Sequence, residues 1–127
     1  MIPPEQSSNP AAAEFFITLL HAATSGHVLH LQTRSYAQHK SLDEFYNELP
    51  GLVDSVIEVY QGKYGLVLDY PNGYAVPTGQ PIDFLSDLGD FVTVNRPSVG
   101  DDSELQNLID GVMELIDSTI YKLRFLA

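Results

Sequence analysis

The chain has 127 residues, of which 44% are hydrophobic; that is enough for one domain with a real core and excludes a disordered chain. Seventeen acidic residues against six basic ones give a formal charge of -11 with no basic cluster, which argues against binding nucleic acid through its phosphates. Cysteine is absent, so disulfides, thiolate chemistry, zinc fingers and iron-sulfur ligation are excluded, and any metal is left to nitrogen and oxygen donors.

Met1 to Ser8 reads as a flexible leader, and residues 9–127 read as a single helical domain. The leader lacks the positive n-region and apolar h-region of a signal peptide, and no apolar run approaches about 18 residues. A chain that is neither secreted by a signal peptide nor membrane-spanning is expected.

Asn9 followed by Pro10 has the form of an N-cap with proline at the first helical position, and a helix is expected from there to about Gln32. Phe16, Leu20, Ala23, His27 and His30 form one stripe of it, so the two histidines extend an apolar face. Thr24, Ser25 and Gly26 weaken helix propensity just before them, since glycine in a helix interior costs about 1 kcal/mol against alanine. A bend, or the close approach of another backbone, is expected there.

After a short connection at Thr33 and Arg34, Ser35 is the candidate N-cap of a second helix running to Gln61 or Gly62, roughly 40 Å at 1.5 Å per residue. Pro50 and Gly51 fall midway and predict a kink. Leu42, Phe45, Tyr46, Leu49, Leu52, Val53, Val56 and Tyr60 recur at the intervals of an amphipathic helix. His39, Asp43, Asp54 and Glu58 share a second arc roughly 100° wide, centred about 120° from the apolar one. Such a face suits a seam between two packed bodies.

Lys63 to Gln80 carries a Pro-Asn-Gly turn signal and reads as a long connection with extended pieces and a hairpin at Tyr70 to Tyr74. Pro81 opens a shorter helix with Leu85, Leu88 and Val92 as its stripe, ended by Arg96 and Pro97. In the last helix Ser103 and Gln106 suggest a capping box, and Leu105, Leu108, Ile109, Val112, Leu115, Ile116, Ile120 and Leu123 form its apolar stripe. The expected fold is all-α: a four-helix bundle with ferritin-like connectivity, the long connection lying between helices 2 and 3.

Imidazole and carboxylate suit ions of the first transition row, and di-iron sites in helical bundles draw such ligands from facing helices. Here His27 and His30 come from one helix, and His39, Asp43, Asp54 and Glu58 from the next. Taken singly, each has a structural reading, as a hydrogen-bonded core histidine or a solvated carboxylate; taken together, the spacing leaves a metal site and the structural reading equally open. No phosphate-binding glycine loop or nucleophile elbow is present.

The order His27, His39, Asp43, Asp54, Glu58, with steps of twelve, four, eleven and four, resembles the ferroxidase signature of the Dps family, the mini-ferritins. The segments LHLQTRSYAQHKSLDEFY and LVDSVIEVYQGKYG are also similar to uncharacterised ferritin-like proteins of tailed bacteriophages. The resemblance covers about residues 15 to 65. It implies an iron site at a two-fold interface: His27 and His39 from one chain, Asp43 nearby, and Asp54 and Glu58 from across the interface. It further implies a homo-oligomer, a dimer at least and a dodecameric shell in that family, in which Fe(II) is oxidised and stored. The expected location is the host cytoplasm or the virion.

The chain departs from the family pattern at several points. Val28 stands where mini-ferritins carry tryptophan, Val59 where an arginine is common, and His30 is an alternative to His27 as the first ligand. No lysine-rich tail is present, so DNA condensation is not carried over. The alternative reading is a non-catalytic phage structural or adaptor protein on the same scaffold, contacting viral partner proteins through Tyr64, Tyr70 and Tyr74 of the long connection.

Overall fold

The computed structural model describes residues 9–127; the predicted leader lies outside them. Four helices carry the fold: α1, Pro10–Gln32; α2, Tyr36–Tyr64; α3, Pro81–Asn95; and α4, Ser103–Phe125. A short 3-10 helix, Arg96–Val99, follows α3 directly. No strand occurs among the described residues, and none of their helices is long and apolar enough to cross a membrane.

The first two helices begin where the sequence predicts. The Asn9 side chain accepts from the Ala12 N–H at 3.1 Å, with Pro10 in the first turn, and Ser35 accepts from the Gln38 N–H at 3.2 Å. Pro50 does not break α2, which stays continuous over 29 residues. Gly65 ends it in the left-handed conformation, at φ 65°, where glycine lacks the Cβ penalty.

Helix α1 packs on α2, α2 on α4, α4 on α3, and α3 closes the ring on α1. Hydrogen bonds and ion pairs fix the directions. Asn9 donates to the Tyr60 hydroxyl at 2.8 Å and to the Ser98 carbonyl at 3.1 Å, placing the start of α1 beside the ends of α2 and α3. Lys122, near the end of α4, pairs with Glu44 near the start of α2. Every neighbouring pair is therefore antiparallel, and the segment between α2 and α3 must travel the length of the bundle.

The core is a single cluster built from all four helices, with Phe15, Phe16, Phe45, Leu19, Leu42 and Leu49 among its largest fully buried side chains. Two details correct the stripe expected on α1. Its buried face runs through Phe15, Phe16, Leu19, Ala22, Gly26, Leu29 and His30, while Leu20 and Ala23 are half-buried and His27 is exposed. Gly26 marks a close approach, not a bend: a Cβ there would lie 2.8 Å from Cδ2 of the Phe45 ring.

The 65–80 connection is an extended strap, not a hairpin. Gln61 holds its start, accepting from the Leu68 N–H at 3.1 Å and from the Tyr70 hydroxyl at 3.0 Å. Farther along, the Tyr74 hydroxyl bonds the buried Ser25 Oγ at 3.0 Å. Tyr64 donates to Asp102. All three tyrosines expected to form a contact surface thus spend their hydroxyls within the chain.

The start of α4 differs from the predicted capping box. Asp102 is the N-cap, and Gln106 instead donates to the Arg96 and Gly100 carbonyls and accepts from Arg96 Nε at 2.7 Å. At the same end Lys63 pairs with Glu104 and Asp102. The Glu104 hydrogen bond holds the Lys63 ammonium above its usual value, and the Asp102 hydrogen bond does the same for the Tyr64 phenol. Both protonated forms are favoured by folding, so their contribution is present below about pH 10 and lost as the pH rises through the folded-state values. Thermal melts from pH 8 to pH 11 are expected to show a steeper loss for the wild type than for a Lys63→Met/Tyr64→Phe variant. Parallel curves would mean that these contacts contribute nothing.

Candidate functional site

The three-residue turn between α1 and α2 brings histidines from both helices together. His30 Nδ1 lies 2.7 Å from the His39 carbonyl, and His39 Nδ1 lies 2.9 Å from the His30 carbonyl. A carbonyl can only accept, so both Nδ1 atoms carry the proton and donate it. In the neutral rings the lone pair is then on Nε2, the tautomer in which metal-binding histidines are commonly held. The two rings stack with centroids 3.6 Å apart and 20° between their planes. His30 is 8% exposed.

His27, one turn back on α1, is exposed and lies flat on Tyr46 of α2, with centroids 4.1 Å apart and planes within 4°. The edge of Tyr46 also meets His30 at 5.2 Å. Tyr46 is half-buried, and burial, reinforced by the neighbouring Asp43 carboxylate, pushes its phenol above the usual value. Asp43 Oδ1 in turn accepts from Asn47 Nδ2 at 3.2 Å. Tyr46 falls within the apolar stripe of α2 by its spacing; its position seven residues after His39, two turns on, is the signal that it also borders the histidine face.

Asp54 and Glu58 do not join this cluster. Both are exposed on α2, about 22 Å and 28 Å along the helix from His39 at 1.5 Å per residue. Among the described residues, no group of three or more histidine, aspartate or glutamate side chains is placed to hold a metal ion within one chain. The sequence-predicted residues thus divide into His27, His30, His39 and Asp43 at the turn end, and Asp54 and Glu58 far along the same helix. Both histidines considered for the first ligand position lie at the turn end, His30 buried and bonded, His27 outside on Tyr46.

An all-helical bundle with a histidine cluster at its first hairpin is thus the class of molecule that the fold defines. The chain belongs to a family of unknown function, DUF5856, which matches residues 30–123. That span covers α2, α3, α4 and His30, and leaves out most of α1. The chain is also 31% identical over 123 residues to an uncharacterised 14.6 kDa protein from the mobD-ri intergenic region of Enterobacteria phage T4, covering 93% of this chain and 92% of the relative. The phage resemblance read from the sequence agrees with that relative; the family match does not show the mini-ferritin resemblance. No solved structure matches the chain.

Proposed function

We propose that two copies of this chain pair through the exposed face of the α1–α2 hairpin and bind iron between the histidines of one copy and the carboxylates of the other. One observation carries this reading: the reciprocal carbonyl bonds of His30 and His39 fix both rings and hold both Nδ1 atoms as donors, leaving Nε2 as the free nitrogen on each.

Within a single chain the donors do not fit a metal, because the carboxylates are too far along α2. Between two antiparallel copies of α2 they do fit by chemistry. A two-fold axis at the level of Glu48 and Leu49, midway between His39 and Glu58, sets each copy's Asp54 and Glu58 against the other's turn end. The mixed imidazole and carboxylate set suits iron. Charge supports the same arrangement, since pairing two chains of formal charge -11 brings acidic surfaces together and a bound cation would offset the repulsion. In this assembly His30 and His39 would donate nitrogen, Asp54 and Glu58 would supply negative charge from across the axis, and Asp43 and Tyr46 would border the site. Oxidation of Fe(II) is the reaction that the resemblance to the mini-ferritin signature implies for such a site.

Anaerobic Fe(II) titration of the chelator-free protein is expected to show about one or two irons per chain, with a ferric absorption band after oxygen or peroxide is added. An Asp54→Ala/Glu58→Ala variant should lose this binding and keep its helical circular dichroism, because both side chains are exposed. Equal binding by the variant would sink the proposal. A second reading is favoured by the same two hydrogen bonds: they close the hairpin without a metal, as they would in a non-catalytic phage structural or adaptor protein. That reading expects no iron above background and a monomer in solution.

A further inference from the structure

The strap between α2 and α3 is fastened at both ends and at one point between. Its start is held by Gln61, which accepts from the Leu68 N–H and the Tyr70 hydroxyl, and Leu68 is buried. Its far end runs into α3, where the Gln80 carbonyl accepts from the Asp83 and Phe84 N–H groups and Pro81 is buried. From Pro71 to Gly79 the described residues show a single hydrogen bond, between the Tyr74 hydroxyl and Ser25 Oγ at 3.0 Å.

Packing adds little to that bond. Pro71 to Val76 are exposed one after another. Tyr74 has the firmest seat among them: it is 40% exposed, so more than half of its surface is covered, and its ring meets His21 of α1 at 5.2 Å and 76°. Gly73 and Gly79, at φ 116° and 88° with open space around them, bracket the stretch from Tyr74 to Thr78. Small loop residues of this kind absorb the backbone rotation of a hinge. Underneath lies an open groove of about 240 Å³ between α1 and α3. Ser25 on its wall is 5% exposed, and its hydroxyl bonds no other group among the described residues.

We propose that Tyr74–Thr78 is a flap that opens over this groove while the helices stay folded, and that the Tyr74–Ser25 bond is its latch. One hydrogen bond and one partly covered ring resist this opening, whereas global unfolding must breach the whole core. Segments with so few contacts open locally. Losing the latch should raise the open population about fivefold, within the range of one ordinary hydrogen bond. The latch faces α3 across the groove and does not depend on the iron reading.

Chymotrypsin cleaves after tyrosine and phenylalanine, and it reaches the Tyr74–Ala75 bond only when the Tyr74 ring leaves its seat. Digestion of the full chain, with the fragments ending at Tyr74 and beginning at Ala75 followed by mass, therefore reads the opening. The wild type is expected to be cut there well below the rate of the free Val67–Gln80 peptide. Ser25→Ala should speed the cut about fivefold with no fall in the thermal midpoint, because alanine is the better helix former. Tyr74→Phe should show the same gain against its own peptide. The double variant should gain nothing further, since both changes remove one bond. Equal rates for the wild type and Ser25→Ala, a wild-type rate equal to that of the peptide, or no cut after residue 74 in any of these proteins would each overturn the proposal. So would a cut whose rate rises with urea as steeply as global unfolding does, which would mean that the strap opens only with the whole fold.

Discussion

Replacing Phe45 by alanine is expected to lower the unfolding free energy by about 3–5 kcal/mol, read as a shift of the urea midpoint. Domains of this size are stable by only about 5–15 kcal/mol, so the effect takes up much of the margin. Phe45 is fully buried where α1 and α2 meet, and its ring rests on the bare backbone of Gly26. A Cβ at Gly26 would stand 2.8 Å and 3.0 Å from the ring's Cδ2 and Cε2, and 3.5 Å from Tyr46 Cβ. The ring cannot swing away into solvent. Gly26→Ala alone should therefore destabilise by about 1–3 kcal/mol through overpacking, despite the roughly 1 kcal/mol that alanine gains in a helix. In the Phe45→Ala background the same change should become stabilising, because only the propensity term is left. A double-mutant cycle reads the difference as a coupling of about 2–4 kcal/mol. Additive effects would show that the close approach does not hold the hairpin together.

That close approach also positions the histidines, and it shows which parts of the fold the sequence discloses. Caps at Asn9 and Ser35, and proline at the first position of α3, mark three helix starts because each acts locally, within one turn. The weak propensity at Thr24 to Gly26 was legible as a place needing explanation, but the answer depended on Phe45, nineteen residues away in the chain. The same limit explains the α1 stripe. Helix α1 is buried by both α2 and α3, so its apolar arc is wide, and the row from Phe16 through Ala23 to His27 follows only the α2-facing edge of it. His27 consequently comes out on the surface.

Polar pairings were the least legible features. Gln106 matched a capping box three residues after Ser103, yet its side chain is engaged by Arg96 and Gly100, contacts that exist only once the turn after α3 is in place. The strap's tyrosines have the composition of an interface, but Gln61, Ser25 and Asp102 take their hydroxyls. On α2 the angular count placed His39, Asp43, Asp54 and Glu58 on one face, and the continuity of the helix through Pro50 keeps them there. What a helical wheel leaves out is distance along the axis. The same projection that unites these residues hides a separation of more than 20 Å between His39 and Asp54.

Mixing two inactive variants is expected to restore iron binding if the site spans two chains. One variant carries Asp54→Ala/Glu58→Ala. The other carries His30→Gln/His39→Gln, which removes both nitrogen donors of the proposed site, and each alone should bind no iron beyond background. Unfolding the two together and refolding them at equal concentration lets dimers form at random, so about half are mixed. Each mixed dimer has one site with intact histidines facing intact carboxylates, and one site with neither. Iron binding should therefore return to about a quarter of the wild-type stoichiometry, with no recovery when either variant is refolded by itself. A site confined to one chain gives no recovery in the mixture, and that result would overturn the two-chain arrangement even if the wild type binds iron. Circular dichroism and the elution volume of each variant check that helices and dimer survive the substitutions. Recovery near a quarter would tie the turn end of one α2 to Asp54 and Glu58 of another, which is the only arrangement in which residues more than 20 Å apart on one helix can share a metal ion.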